Sequence, residues 1–68
     1  EEIIVRKRAL HKKKVREIAF PAAGSLVIQR RDGEIFIPHG DTELLLGDFI
    51  TVIGNQSALT DFRGILEG

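Results

Sequence analysis

The side chains able to do chemistry in this 68-residue chain form a short inventory. There are two histidines, His11 and His39, and no cysteine. Neither a His-x-x-x-His nor a His-x-His pair occurs, and only His39 with Asp41 has ligand-like spacing. A zinc site needs three or four ligands, so no metal centre is expected. Ser25 and Ser57 have no companion base in sequence: Ser25 lies near a turn, and Ser57 suits a helix cap better than a nucleophile's role. Asp41, Glu43 and Asp48 could supply an acid/base pair, but shifting a carboxylate pKa requires a desolvated cleft. A chain this short has little material left to build one. The glycines are scattered and form no phosphate loop. The inventory points away from catalysis and away from a resident cofactor.

The elements that must carry these residues are limited by size. A domain this small buries only about 60% of the surface its unfolded chain exposes. Without cysteine it has no disulfide staple, so a partner surface is the expected source of added stability, with a homodimer as the first expectation. The apolar stretches are far shorter than the ~20 residues needed to cross a bilayer. The chain opens on Glu1-Glu2 and holds no methionine, which suggests a piece of a longer protein.

Net charge is zero but unevenly spread. Residues 1–16 hold seven Lys and Arg against two Glu, +5, and residues 17–68 hold three against eight acids, −5. A basic arm on an acidic body can meet nucleic acid, anionic lipid or an acidic neighbour. No aromatic interleaves with these charges to stack on bases. The reading therefore divides the chain into a basic linker or N-terminal arm over residues 1–14 and a domain over residues 15–68. Within the arm, Ile3, Ile4 and Val5 could begin a strand, while Ala9, Leu10 and the lysines would tolerate a helix.

Val15–Phe20 reads as a strand stopped by Pro21, with Ala22-Ala23-Gly24 as a turn. A hairpin follows, in which Leu26–Arg31 and Glu34–Ile37 flank Asp32-Gly33. A two-residue Asp-Gly loop favours a type I′ turn and pairs Arg31 with Glu34, Arg30 with Ile35 and Gln29 with Phe36. Alternation then puts Leu26, Ile28, Arg30, Ile35 and Ile37 on one face, the expected core face. Pro38-His39-Gly40-Asp41-Thr42 is a loop in which His39 is expected to be exposed, and Gly47-Asp48 is a turn. Phe49–Ile53, apolar on both faces, reads as a strand covered on two sides. Asn55 or Ser57 caps a helix whose stripe is Ala58, Leu59, Phe62, Ile65 and Leu66. Gly64 within that helix marks either close packing or early fraying. The expected fold class is α+β: a small antiparallel sheet with a hairpin and a C-terminal helix packed on it.

Taken in order, Arg30-Arg31-Asp32-Gly33, Ile37-Pro38, Gly40-Asp41-Thr42, Leu44, Gly47-Asp48, Val52-Ile53-Gly54 and the helix with Leu59 and Phe62 closely resemble the signature of the TrkA C-terminal domain family, also called RCK C-terminal domains. The resemblance covers about residues 15–66. Its conspicuous residues are architectural: Asp32, Gly33, Gly40, Asp41, Gly47 and Asp48 shape turns. It implies no enzyme, but a dimerising regulatory module of a bacterial ion transporter or channel, of potassium, cation/proton antiport or chloride-channel type. Such a module lies on the cytoplasmic face of the inner membrane, beside a transport domain in the same polypeptide or complex. Some members bind a small ligand between protomers, cyclic di-AMP being the best known. Carried onto this chain, Arg30 or Arg31 would hold phosphate, and Pro38 with His39 would meet the base edge. Many members also carry a Gly-Lys-Thr-Leu-like segment and a short helix ahead of the hairpin. Here Pro21-Ala22-Ala23-Gly24 spans that gap, so part of the usual pocket wall is expected to be missing.

Two rival readings exist. Regulators of the AbrB type also set a proline and a later Gly-Asp before a strand, and the basic arm would supply phosphate contacts, although the body is net acidic and nucleic acid is not the expected partner. The other rival is an enzyme fragment whose catalytic residues lie elsewhere.

Overall fold

A computed structural model describes residues 1–68. Its best-anticipated feature is the hairpin. Asp32 and Gly33 both take positive φ, 49° and 82°, the pair a type I′ turn demands. The turn joins β2 (Gly24–Arg31) to β3 (Glu34–Phe36), with Arg31 opposite Glu34, Arg30 opposite Ile35 and Gln29 opposite Phe36. β4 (Phe49–Gly54) lies on the other side of β2, and β1 (Glu2–Ile4) lies beyond β4. The result is a four-stranded antiparallel sheet in the order β1-β4-β2-β3. Helix α1 (Gln56–Leu66) closes one face, as the α+β reading expects. No helix is long and apolar enough to cross a membrane.

The face assignment is corrected by one residue of slippage. Leu26 pairs with Val52, but Ile28 pairs with Thr51, so a β-bulge falls between them. A bulge adds one unpaired residue and inverts the alternation beyond it. Leu26 still packs on the core, whereas Gln29 turns inward, fully buried. Ile28, Ile35 and Ile37, expected in the core, are 40%, 68% and 76% exposed. β4 is corrected similarly: Ile50 and Val52 are buried, but Ile53 on the opposite face is 56% exposed, so the strand is covered on one side only.

Val15–Phe20 is not a strand. Residues 15–17 form a 3-10 turn, and only Lys14 makes an isolated bridge, to Glu43. The Glu17 carboxylate accepts from the Lys14 N–H at 2.8 Å, a local cap that competes with ladder pairing. Val15, Ile18 and Phe20 all pack on the core, which is not a strand's alternation.

Residues 1–14, read as a linker or arm, are built into the domain. β1 pairs with β4, and Ile3, Val5 and Leu10 are buried in the core. The signal lies in Ile3, Val5 and Leu10 themselves: three apolar side chains among six cations gain more from burial than the charges lose by staying in water.

The core joins Ile3, Val5, Leu10, Leu44, Ile50, Val52, Ala58, Phe62 and Leu66. Asn55 caps α1 by accepting from the Ala58 N–H at 2.8 Å, one of the two expected caps. Phe62 is fully buried and stacks obliquely on Phe20, ring centroids 5.6 Å apart. Gly24 makes this fit possible. A Cβ there would stand 2.6 Å from Phe62 Cε2 and 2.7 Å from the Ile53 carbonyl oxygen, closer than any real contact. Gly64 marks neither close packing nor fraying: the helix runs on to Leu66, and nothing lies within 4 Å of a Cβ placed at Gly64.

Candidate functional site

Two regions concentrate unusual side chains, and both are set by the inverted phase of β2. The first is a buried polar cluster around Asp48. The turn Leu45-Leu46-Gly47 brings Asp48 under the end of β2, with Gly47 in the left-handed region at φ 89°. The Asp48 carboxylate, almost wholly buried, accepts from the Leu45 N–H at 2.9 Å and from Gln29 Nε2 at 2.8 Å. Arg31 grips it with two parallel bonds, Nε at 2.9 Å and Nη2 at 2.8 Å. That fork is the strongest geometry a guanidinium and a carboxylate can adopt. Arg31 Nη2 and Gln29 Nε2 each also donate to the Glu43 carbonyl oxygen at 3.0 Å. Burial pushes the Asp48 pKa up, but the bonds from Arg31, Leu45 and Gln29 and the Arg31 charge outweigh it and hold the carboxyl below its ordinary value. The same Asp48 bond raises the Arg31 pKa against the cost of burial. The cluster fastens β2 to the 43–48 segment. Gln29 Oε1 is buried without a hydrogen-bond partner, the one polar group the cluster leaves unsatisfied.

The second region is the outer face of the sheet, opposite α1. Here register places Ile28, Ile35 and Ile53, all exposed, and Ile37, also exposed, follows directly after β3. Arg30 crosses the same face, since it pairs with Ile35 on β3 and Phe49 on β4. Its guanidinium lies 4.2 Å from the Phe49 ring centroid, and Nη2 reaches both Glu2 carboxylate oxygens at 3.2 Å.

The residues singled out in the sequence are therefore divided. Arg30 sits on the apolar outer face, while Arg31 is turned away from it and held by Asp48. The expected Arg31–Glu34 pairing holds for the backbone only. His39 is exposed, as expected from its loop, while Pro38 beside it is buried. The His39 N–H donates to Thr42 Oγ1 at 3.0 Å, and the Thr42 N–H returns to the His39 carbonyl at 3.0 Å. Asp41 pairs with Arg16 at 3.1 Å, both side chains in solvent, worth well under ~1 kcal/mol. Gly33 and Gly47 need their left-handed backbone, whereas Gly40 does not adopt one. No three His, Asp or Glu side chains gather as metal ligands.

Sequence reasoning missed the Asp48 cluster, treating Asp48 as a plain turn former, and missed the outer apolar face. The cluster left a trace: a glutamine and an arginine at alternate positions of one strand, with an aspartate next to a glycine turn. The outer face depends on a bulge that no residue type announces.

A small antiparallel sheet backed by one helix, its other face apolar and open, defines the class: an α+β domain that presents a sheet surface. The TrkA-C domain model matches residues 1–67, and the chain belongs to the TrkA-C domain family. It is 41% identical over 51 residues, 72% of its length, to the Bacillus subtilis (strain 168) protein named "Putative Na(+)/H(+) antiporter YjbQ", of which it spans 8%. A solved structure described as "Structure of RCK domain with cda" superimposes with a TM-score of 0.91 at 28% identity, covering 98% of this chain and 96% of that one. With 96% of that domain matched, the expected missing wall corresponds to no sizeable gap against it.

Proposed function

We propose that the chain is a cytoplasmic regulatory and dimerisation module of a bacterial ion transporter of the cation/proton antiport type, and that it senses a cyclic dinucleotide. The observation that carries this reading is the outer sheet face, where four isoleucines on three neighbouring stretches stand in solvent around an arginine. Apolar groups clustered in this way on so small a domain are stabilised by a partner surface. A second copy of the same face is the occupant that makes a symmetric regulatory dimer. Support comes from the family, the antiporter relative and the RCK structure with its named ligand.

A ligand between two such faces meets Arg30 first. A phosphate competes with Glu2 for its guanidinium, since both present paired oxygens to the same donors. Releasing Glu2 loosens the tie to β1, which gives the site a route to the N-terminal strand. His39 in its exposed loop supplies the base-edge contact. Arg31 and Pro38 act from behind: one is locked to Asp48 and the other is buried.

Calorimetric titration with cyclic di-AMP tests this. The chain is expected to bind and to melt at a higher temperature as ligand is added. Arg30→Ala is expected to weaken binding by about tenfold or more, the loss of one charged hydrogen-bonding group. Absence of binding, or an affinity that Arg30→Ala leaves unchanged, would refute the ligand site.

A further inference from the structure

The ten cations and ten acids of this chain balance in number but not in space. Five arginines, Arg6, Arg16, Arg30, Arg31 and Arg63, each have a carboxylate within 4 Å. The other five cations, Arg8 and all four lysines, have none, and every one of them lies within residues 7–14. No acidic residue occurs between Glu2 and Glu17. Unpaired positive charge is thus confined to one segment.

That segment is folded and fixed. Leu10, Lys13 and His11 donate to the carbonyls of Lys7, Leu10 and Arg8 at 3.0, 3.0 and 3.1 Å, which winds it into successive tight turns. The Lys7 N–H donates to the Leu66 carbonyl at 3.2 Å, the Lys12 N–H to Leu44 at 2.7 Å, and the Leu44 N–H to Lys13 at 2.9 Å. Leu10 anchors it in the core on the helix side of the sheet. A second copy on the outer face therefore leaves it uncovered. Lys7, Arg8, Lys12 and Lys13 are exposed. Lys12 holds a φ of 68°, a conformation that glycine or asparagine adopts more cheaply.

We propose that the Lys7–Lys14 segment docks on an anionic lipid surface. The proposal rests on the reading of the chain as a module of a membrane transporter, which keeps it near a bilayer. The choice of partner follows from the side chains. Arginine's rigid fork suits fixed carboxylates, and here the paired cations are all arginines. Lysine's compact, hydrated charge on a flexible stem suits a diffuse field of headgroups. No aromatic lies in the segment to stack on bases. Each lysine or arginine near an anionic surface contributes attraction equivalent to about fivefold in affinity, and the effect decays within a Debye length.

Co-sedimentation with phosphatidylcholine vesicles, with and without about 30% phosphatidylglycerol, tests the docking. The chain is expected to bind the anionic vesicles at about 50 mM salt, to release them near about 500 mM, and to ignore neutral ones. The variant K7Q/R8Q/K12N/K13Q is expected to bind at least about 100-fold more weakly. Its melting curve is expected to match the parent's, because the four side chains are exposed and unpaired and asparagine tolerates the position of Lys12. Equal binding by parent and variant, or no anionic preference, overturns the proposal. Salt-sensitive binding of duplex DNA without vesicle binding overturns it in favour of nucleic acid. A chain that ignores the nucleotide yet sediments with anionic vesicles contradicts the ligand site alone.

Discussion

Phe62→Ala is expected to remove a large share of the domain's stability. Phe62 is fully buried and fills the space between α1, Phe20 and Gly24. Truncating a buried phenylalanine costs about 3–5 kcal/mol in lost transfer energy and cavity formation. A domain of this length has about 3–10 kcal/mol in total. The cavity cannot close easily, because Gly24 already lets the sheet come as near as backbone allows. Urea denaturation followed by circular dichroism gives the loss directly, with Ile65→Ala, partly buried at the edge of the core, expected to cost clearly less. A loss for Phe62→Ala below about 1 kcal/mol would show that the helix does not pack as described.

Asp48→Asn is expected to be the most damaging polar substitution. Removing one partner of a buried pair costs about 3–5 kcal/mol because the other charge is stranded. Arg31 keeps about a third of its side chain in solvent, which lowers the expected loss to about 2–3 kcal/mol. In a domain of this size that is a fall of roughly 10–20 °C in melting temperature. The pH dependence adds a check. The Asp48 pKa is lowered in the folded state, so its contribution is complete above the unfolded value of about 3.9 and is lost as pH falls through the lower folded value. The gap between parent and variant is therefore expected to stay constant from neutral pH to about pH 5, then to narrow in stronger acid. A gap that does not change with acid would mean that the charge on Asp48 is not what the cluster uses.

How much of this was legible depends on range. The hairpin turn, its register and the helix cap follow from local rules: Asp32-Gly33 can form only a few turns, and Asn55 precedes an amphipathic run. The family resemblance rests on turn residues, because turns constrain residue type more tightly than strands do. The failures are all matters of pairing and phase. Val15–Phe20 has β-branched and aromatic residues, yet its backbone is drawn to Gly40, Thr42 and its own Glu17 cap. The bulge after Leu26 reversed every assignment on β2 downstream of it, so isoleucines expected inside stand outside. Gln29 and Arg31, which alternation leaves off the expected core face, instead meet Asp48, whose position nineteen residues from Gln29 no local pattern gives. Arg30 and Arg31 stand side by side in the sequence, and only the fold separates them, one on the outer face and the other held by Asp48.

The outer sheet face is proposed to join two copies into a regulatory dimer. Sedimentation equilibrium across a dilution series, comparing the chain with Ile35→Asp, tests it most directly. Ile35 is 68% exposed and touches no part of the core, so the substitution leaves the monomer's fold intact. The expected result is a dimer that persists to micromolar concentration in the parent and is lost in Ile35→Asp. A parent that sediments as a monomer at every concentration, or an Ile35→Asp dimer as tight as the parent's, would contradict the account.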